Sequence, residues 1–235
     1  MIIMMTIRKS QERGYAKHDW LESFHSFSFA DYYDAAHMGY SVLRVINEDK
    51  VAAGSGFGMH GHRDMEIITY MLAGELRHQD SMGNGSVIHT GDVQYMSAGT
   101  GVRHSEINPS TVHDAHLLQI WLLPAAVGLP PNYAQKHFSP EQKRNRWCLV
   151  VSDDGREGSI QIQQNVNLYA SILDAGGQLS TALHEGRRAY LQVAKGEVLC
   201  NGVQLFAGDA AIVEAESQIG IQALQNAELL LFDLP

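Results

Sequence analysis

Positive charge, cysteine and long apolar runs are all scarce in this chain. Seventeen basic residues stand against 26 acidic ones in 235, a formal net charge of −9. Binding to nucleic acid needs a concentrated positive footprint that displaces counterions. The one local basic cluster, Lys143-Arg144-Asn145-Arg146, is too short to supply it and reads as a solvated loop. No nucleic-acid partner is expected. No stretch approaches the roughly 18 uninterrupted apolar residues of a membrane helix, so no membrane partner is expected either. The apolar run Met1–Ile7 is short, lacks a basic leader and is followed by Arg8-Lys9-Ser10-Gln11-Glu12-Arg13, the reverse of a signal peptide. The two cysteines, Cys148 and Cys200, are far apart and form no CxxC pair. The expected setting is a reducing cytoplasm, with both thiols free and packed as small core residues.

What the chain has instead is short strands and tight turns. Tyr40–Asn47, Glu66–Gly74, Asp92–Met96, His116–Leu122, Trp147–Val151, Ser159–Ile162, Ala189–Val193 and Leu229–Phe232 are apolar runs, several of them β-branched or aromatic. Each is bounded by Gly, Asn, Asp or Pro. Twenty-two glycines suit a barrel with many corners, and no long apolar face of helical period occurs. The fold class expected is all-β. Pro124, Pro130, Pro131 and Pro140 crowd a segment that cannot be a central strand, read here as the crossing between two halves.

Those halves are weak repeats of each other. Tyr70-Met71-Leu72-Ala73-Gly74-Glu75-Leu76 parallels Leu191-Gln192-Val193-Ala194-Lys195-Gly196-Glu197-Val198, and His89–Met96 parallels Leu205–Ile212. In each, a strand ends in Gly-Glu and a Gly-Asp turn opens the next strand. The expectation is a duplicated barrel with domains at 1–134 and 135–235.

Ten of the 12 histidines precede residue 135. The densest group is His60-Gly61-His62, paired with His104-Ser105-Glu106 some 40 residues on. Side chains two apart on a strand share a face, so His60 joins His62 and His104 joins Glu106. With the two strands side by side and those faces inward, four ligands converge. Three imidazoles and a carboxylate suit Fe, Mn, Co, Ni, Cu or Zn rather than Ca or Mg. An octahedral metal would keep two open positions, the mark of a reactive centre rather than a structural one. Glu66 is a rival carboxylate, since 60, 62 and 66 share parity. His78 and His89 flank the Gly83-Asn84-Gly85 tip and read as solvated. His113 and His116 take loop or edge roles, and His184 is a surface residue. Phe24, Phe27 and Phe29 are assigned to packing, and Phe57 and Met59 are candidates for lining a pocket.

Gly54-x5-His60-x-His62-x3-Glu66-x7-Gly74 closely resembles the first cupin motif, and Gly91-x7-Gly99-x4-His104-x3-Asn108 approximates the second. More narrowly, Trp20–Ala30, Gly56–Glu66 and Met96–Glu106 resemble the pirins, in particular the bacterial pirins that open the flavonol ring of quercetin. The resemblance is strong over the first 130 residues and weak after. It implies a bicupin of two antiparallel, jelly-roll-like β-barrels with one metal, usually iron as Fe(II), on His60, His62, His104 and Glu106. It favours Glu106 over Glu66, which is left to support the shell. It implies a dioxygenase acting on quercetin or a related polyphenol, with Glu106 as the base for the substrate hydroxyl. Because some pirins are described as iron-bearing, redox-responsive regulators, a regulatory protein partner is the alternative. The second half carries no equivalent ligands, so one metal per chain is expected.

Overall fold

The computed structural model describes residues 5–214 and 218–235; Met1–Met4 of the N-terminal apolar run lie outside them. Those residues form almost nothing but strands and turns, with Pro140–Lys143 the only α-helix among them. No helix is long and apolar enough to cross a membrane. The chain divides into two compact units. The first is Gly14–Phe138 with Ile162–Gln164; the second is Ser139–Gln161 and Asn165–Pro235 together with the N-terminal stretch through Arg13.

Each unit has a seven-stranded and a four-stranded sheet rather than one closed barrel. In the first unit the larger sheet runs Asn132–His137, Asp92–Ser97, Glu66–Ala73, Ala115–Leu122, Leu43–Val51, Leu21–His25, Gly14–Lys17. The smaller runs Gly56–His62, Val102–Ile107, Glu75–Asp80, Gly85–His89. The second unit repeats this order. Its larger sheet runs Met5–Arg8, Ala210–Val213, Arg188–Lys195, Ala227–Leu234, Asn167–Leu173, Cys148–Ser152, Ile160–Gln161. Its smaller sheet runs Gln178–Ala182, Gln218–Ala223, Glu197–Cys200, Val203–Phe206. The pairings are antiparallel apart from Cys148–Ser152 with Ile160–Gln161. This is the double jelly roll of a bicupin.

The corners are duplicated as closely as the strands. Gly74 and Gly196 both adopt positive φ, +75° and +81°, where an L side chain is strained. A Cβ on Gly74 would lie 2.7 Å from the Asp114 carbonyl oxygen, and one on Gly196 2.2 Å from that of Asn226. Both glycines therefore let a turn press against the start of the strand beside it. The two Gly-Asp turns close alike: Asp92 Oδ2 accepts from the His89 N–H at 2.9 Å, and Asp209 Oδ2 from the Phe206 N–H at 3.1 Å.

Two segments take places that local reading does not supply. Asn132–His137, inside the proline-rich crossing, is an edge strand against Asp92–Ser97. Met5–Arg8 pairs with Ala210–Val213, far away in sequence. Edge positions suit both, because an edge strand needs only one partner. Cys148 and Cys200 form no disulfide; Cys200 is a core residue whose thiol burial pushes up to about 12, whereas Cys148 is only part-buried rather than packed in the core.

Candidate metal centre

The strands Gly56–His62 and Val102–Ile107 are neighbours, with His104 directly opposite His60 and Val102 opposite His62. Period-two alternation turns Val102, His104 and Glu106 inward and Arg103 out. A bulge between His104 and Glu106 shifts the register by one, so Glu106 faces Phe57. On its other side the strand pairs with Glu75–Asp80, where His104 meets Asp80 and Glu106 meets His78.

Three imidazoles converge. The His60–His104, His60–His62 and His62–His104 ring centroids are 4.4, 4.7 and 4.9 Å apart. One ring nitrogen from each lies within 4.8 Å of the other two. The Nδ1–H of His60 donates to the Gly58 carbonyl at 2.8 Å, which leaves its Nε2 lone pair free. His104 Nε2 is buried without a hydrogen-bond partner, an expense that a metal ligand would remove. Burial and then the charge of His60 push His62 down to about 4. Burial and then His60 and His62 push His104 down to about 2. Both rings are neutral at ordinary pH. The set fits a divalent transition metal.

Glu106 sits beside this triad rather than in it. It groups with His104 and His78. Its carboxyl accepts from Gln119 Nε2 at 3.1 Å and from Thr69 Oγ1 at 3.4 Å. Burial lifts it to about 7, opposed by the Gln119 hydrogen bond. Gln119 and Thr69 belong to a row of register partners, His25, Asn47, Gln119, Thr69 and Gln94, that lays a buried polar stripe across the larger sheet. Glu66 lies elsewhere: its two oxygens accept from Tyr95 Oη and from Ser97 Oγ, the latter at 2.8 Å.

His78 overturns an expectation. The hairpin-tip position suggested a solvated side chain, yet His78 is fully buried. The register brings it beside Glu106, and its ring stacks on Tyr133 at 4.9 Å. His89 is exposed, as are His113 and His184. His116 is part-buried within a central strand and bonds Glu48 at 2.9 Å.

The triad and Glu106 line a cavity of about 380 Å³. Its apolar wall consists of Trp20, Leu21, Phe29, Phe57, Ile67 and Trp121. Of the two candidates for lining a pocket, Phe57 does so; Met59 does not border this cavity and is half-exposed. In the second unit, the strands equivalent to the ligand-bearing pair carry Gln178-Leu179-Ser180-Thr181-Ala182 and Gln218-Ile219-Gly220-Ile221-Gln222-Ala223. Among the described residues, both histidine groups lie in the first unit.

A two-sheet β unit with a histidine triad lining an aromatic cavity, followed by a copy of itself with no such group among the described residues, defines a metal-binding bicupin. Residues 6–122 match the family described as Pirin, and residues 149–234 match the quercetinase C-terminal cupin domain. The chain is 48% identical over 232 residues to a quercetin 2,3-dioxygenase of Escherichia coli K12, covering 99% of each. It is 40% identical over 223 residues to a pirin-like protein of Caulobacter vibrioides, covering 94% of this chain and 95% of that one. A crystal structure of the bacterial pirin YhhW of E. coli in complex with nickel(II) superposes with a TM-score of 0.94 at 47% identity, over 99% of both chains. This chain belongs to the pirin family.

Proposed function

We propose that the protein is a metal-dependent dioxygenase that opens the ring of quercetin or a related flavonol, with His60, His62, His104 and Glu106 as the ligands of one divalent metal. The observation that carries this reading is the convergence of three neutral imidazoles on the floor of an aromatic-walled cavity. The names of the E. coli relative and of the nickel-bound pirin support it. Among the metals the donor set suits, Fe(II) is the first to test, with nickel close behind.

A metal held by these residues would supply Lewis acidity toward a substrate oxygen. The chain's own residues do the rest. Trp20, Phe29, Phe57 and Trp121 present flat apolar faces that orient a ring system and exclude water. Glu106 takes the proton of the substrate hydroxyl at a carboxylate oxygen. Gln119 and Thr69 aim that carboxylate from the facing sheet.

The test is oxygen consumption with quercetin after anaerobic loading with Fe(II), beside Glu106→Gln, with elemental analysis of both. Turnover in the parent and its loss in a variant still filled at saturating metal are expected. A metal-filled parent that consumes no oxygen with any flavonol sinks the proposal.

A further inference from the structure

The cavity has a second polar feature apart from the metal centre. On the neighbouring strands Leu21–His25 and Leu43–Val51, Ser23 lies opposite Asp49 and His25 opposite Asn47, and all four line the cavity. Ser23 Oγ donates to Asp49 Oδ1 in a short hydrogen bond. His25 Nδ1 lies 2.8 Å from Asn47 Oδ1 and 3.4 Å from Ser23 Oγ.

Asp49 is the member left short. It is 3% exposed, yet among the described residues the only side chain hydrogen-bonded to its carboxyl is that of Ser23. A carboxyl this buried ordinarily collects several donors, because each bare oxygen loses its water. Its spare acceptor capacity opens on the cavity it borders. Besides the histidine triad with Glu106 and Gln119, the polar lining is His18 and the His25–Asn47 pair beside Ser23 and Asp49; away from the triad, Asp49 is the carboxyl with acceptor capacity to spare.

We propose that Asp49, keyed by Ser23, accepts a hydrogen bond from a ring hydroxyl of the substrate other than the one held at the histidine triad, so that the site selects polyhydroxylated flat aromatics. This rests on reading the cavity as a flavonol site. The volume of about 380 Å³ lies in the range of small-molecule pockets. A hydroxyl is the right partner because it donates to a carboxyl in either protonation state. A site that pairs a hydroxyl rejects the analogue lacking it, since the buried acceptor is then left bare. Asp49 is therefore a specificity residue, outside the histidine triad, though its charge also bears on Glu106.

The experiment measures binding without turnover. Protein loaded with Ni(II) under nitrogen is titrated with quercetin and with 3-hydroxyflavone, whose single hydroxyl is the enol, and followed by tryptophan quenching. Trp20 and Trp121 report from the wall. The parent is expected to prefer quercetin by about tenfold or more, the worth of a hydrogen bond to a charged acceptor. Asp49→Ala should bring that ratio near unity through weaker quercetin binding, with 3-hydroxyflavone affinity unchanged. Asp49→Asn, which keeps an acceptor oxygen, should restore part of the preference. Ser23→Ala, a smaller perturbation that survives if Asp49→Ala does not fold, should lower the ratio in the same direction. A preference that persists in Asp49→Ala overturns the proposal. So does an equal loss for both ligands, which marks a purely structural pair, or a parent that binds both equally. A nickel-loaded parent that binds neither overturns the flavonol reading itself, and the anchor with it.

Discussion

Nδ1 of His78 lies 3.4 Å from Nδ1 of His104, while Nε2 of the same ring lies 3.2 Å from Oδ2 of Asp80. An ionised carboxylate only accepts, so the proton of His78 resides on Nε2 and its Nδ1 carries the lone pair. His104 must then donate through Nδ1, which leaves the lone pair on its buried, unpartnered Nε2. Asp80 is fixed in turn by the Met82 and Asn84 N–H groups and by Asn84 Nδ2. A hairpin tip thus sets the tautomer of a histidine in the centre.

Breaking this line should weaken the centre without removing a ligand. His78→Ala is expected to lower metal affinity by about 10–100-fold, the usual effect of losing a group that orients a ligand. Asp80→Asn should act in the same direction. Competition against a chromophoric chelator measures both. Affinity within twofold of the parent in both variants refutes the relay.

The two carboxylates singled out by parity should part company. Glu106→Gln is expected to weaken metal binding, because the amide is a poorer ligand than the carboxylate. Glu66→Gln should leave affinity nearly unchanged, since both Glu66 oxygens are already engaged by Tyr95 and Ser97. Its effect should appear in thermal stability, as disturbed buried hydrogen bonds. The reverse ranking in metal affinity would move the ligand assignment to Glu66.

Asp49 gives the metal-free protein a defined pH dependence. Burial lifts its carboxyl from 3.8 to about 6, partly offset by the Ser23 hydrogen bond. The folded form therefore binds this proton more tightly than the unfolded chain. That contribution is complete below about pH 4 and is lost as pH rises through 6. Asp49→Asn removes the ionisation, so its stability relative to the parent should rise between pH 4.5 and 7.5, by up to on the order of 3 kcal/mol. Urea unfolding at the two pH values reads this directly. A difference that stays constant, or shrinks, contradicts the sign.

The duplicated corners make a paired prediction. Gly74→Ala and Gly196→Ala both force a Cβ onto neighbouring backbone at positive φ, and each should cost on the order of 1–3 kcal/mol. Gly196→Ala should be the more damaging, as its approach is 2.2 Å against 2.7 Å. Thermal unfolding of the two variants ranks them; equal melting points would show that the turns relax freely.

Much of this was legible in the chain because it depends on short-range spacing. Alternation alone places His60 with His62 and His104 with Glu106, and the Gly-Glu and Gly-Asp corners betray the repeat. Glu66 shares parity with the histidines but stands on the other sheet, and parity carries no information across a corner. His78 sits near glycine and asparagine, which locally signal solvent; only its register with Glu106, 28 positions away, buries it. Asp49 and Ser23 look like ordinary polar strand residues until the sheet curves round a cavity. Met5–Arg8 meets a partner some 200 residues on, a pairing that no window of sequence can reveal.

The second unit keeps its corners and gives up its histidines. On the strands equivalent to the ligand-bearing pair, Ile219 and Ile221 join a continuous apolar core with Leu191, Val193, Leu229 and Leu231, and Leu179 packs against it. Backbone geometry demands a glycine at a left-handed turn whatever the interior contains, so Gly196 and Gly208 are under the same constraint as Gly74 and Gly91. The interior answers only to chemistry, and where no histidine group lines it among the described residues the space is filled by isoleucine and leucine. Two copies of one architecture thus differ inside: one encloses a cavity lined with buried polar groups, and the other packs an apolar core between the same corners.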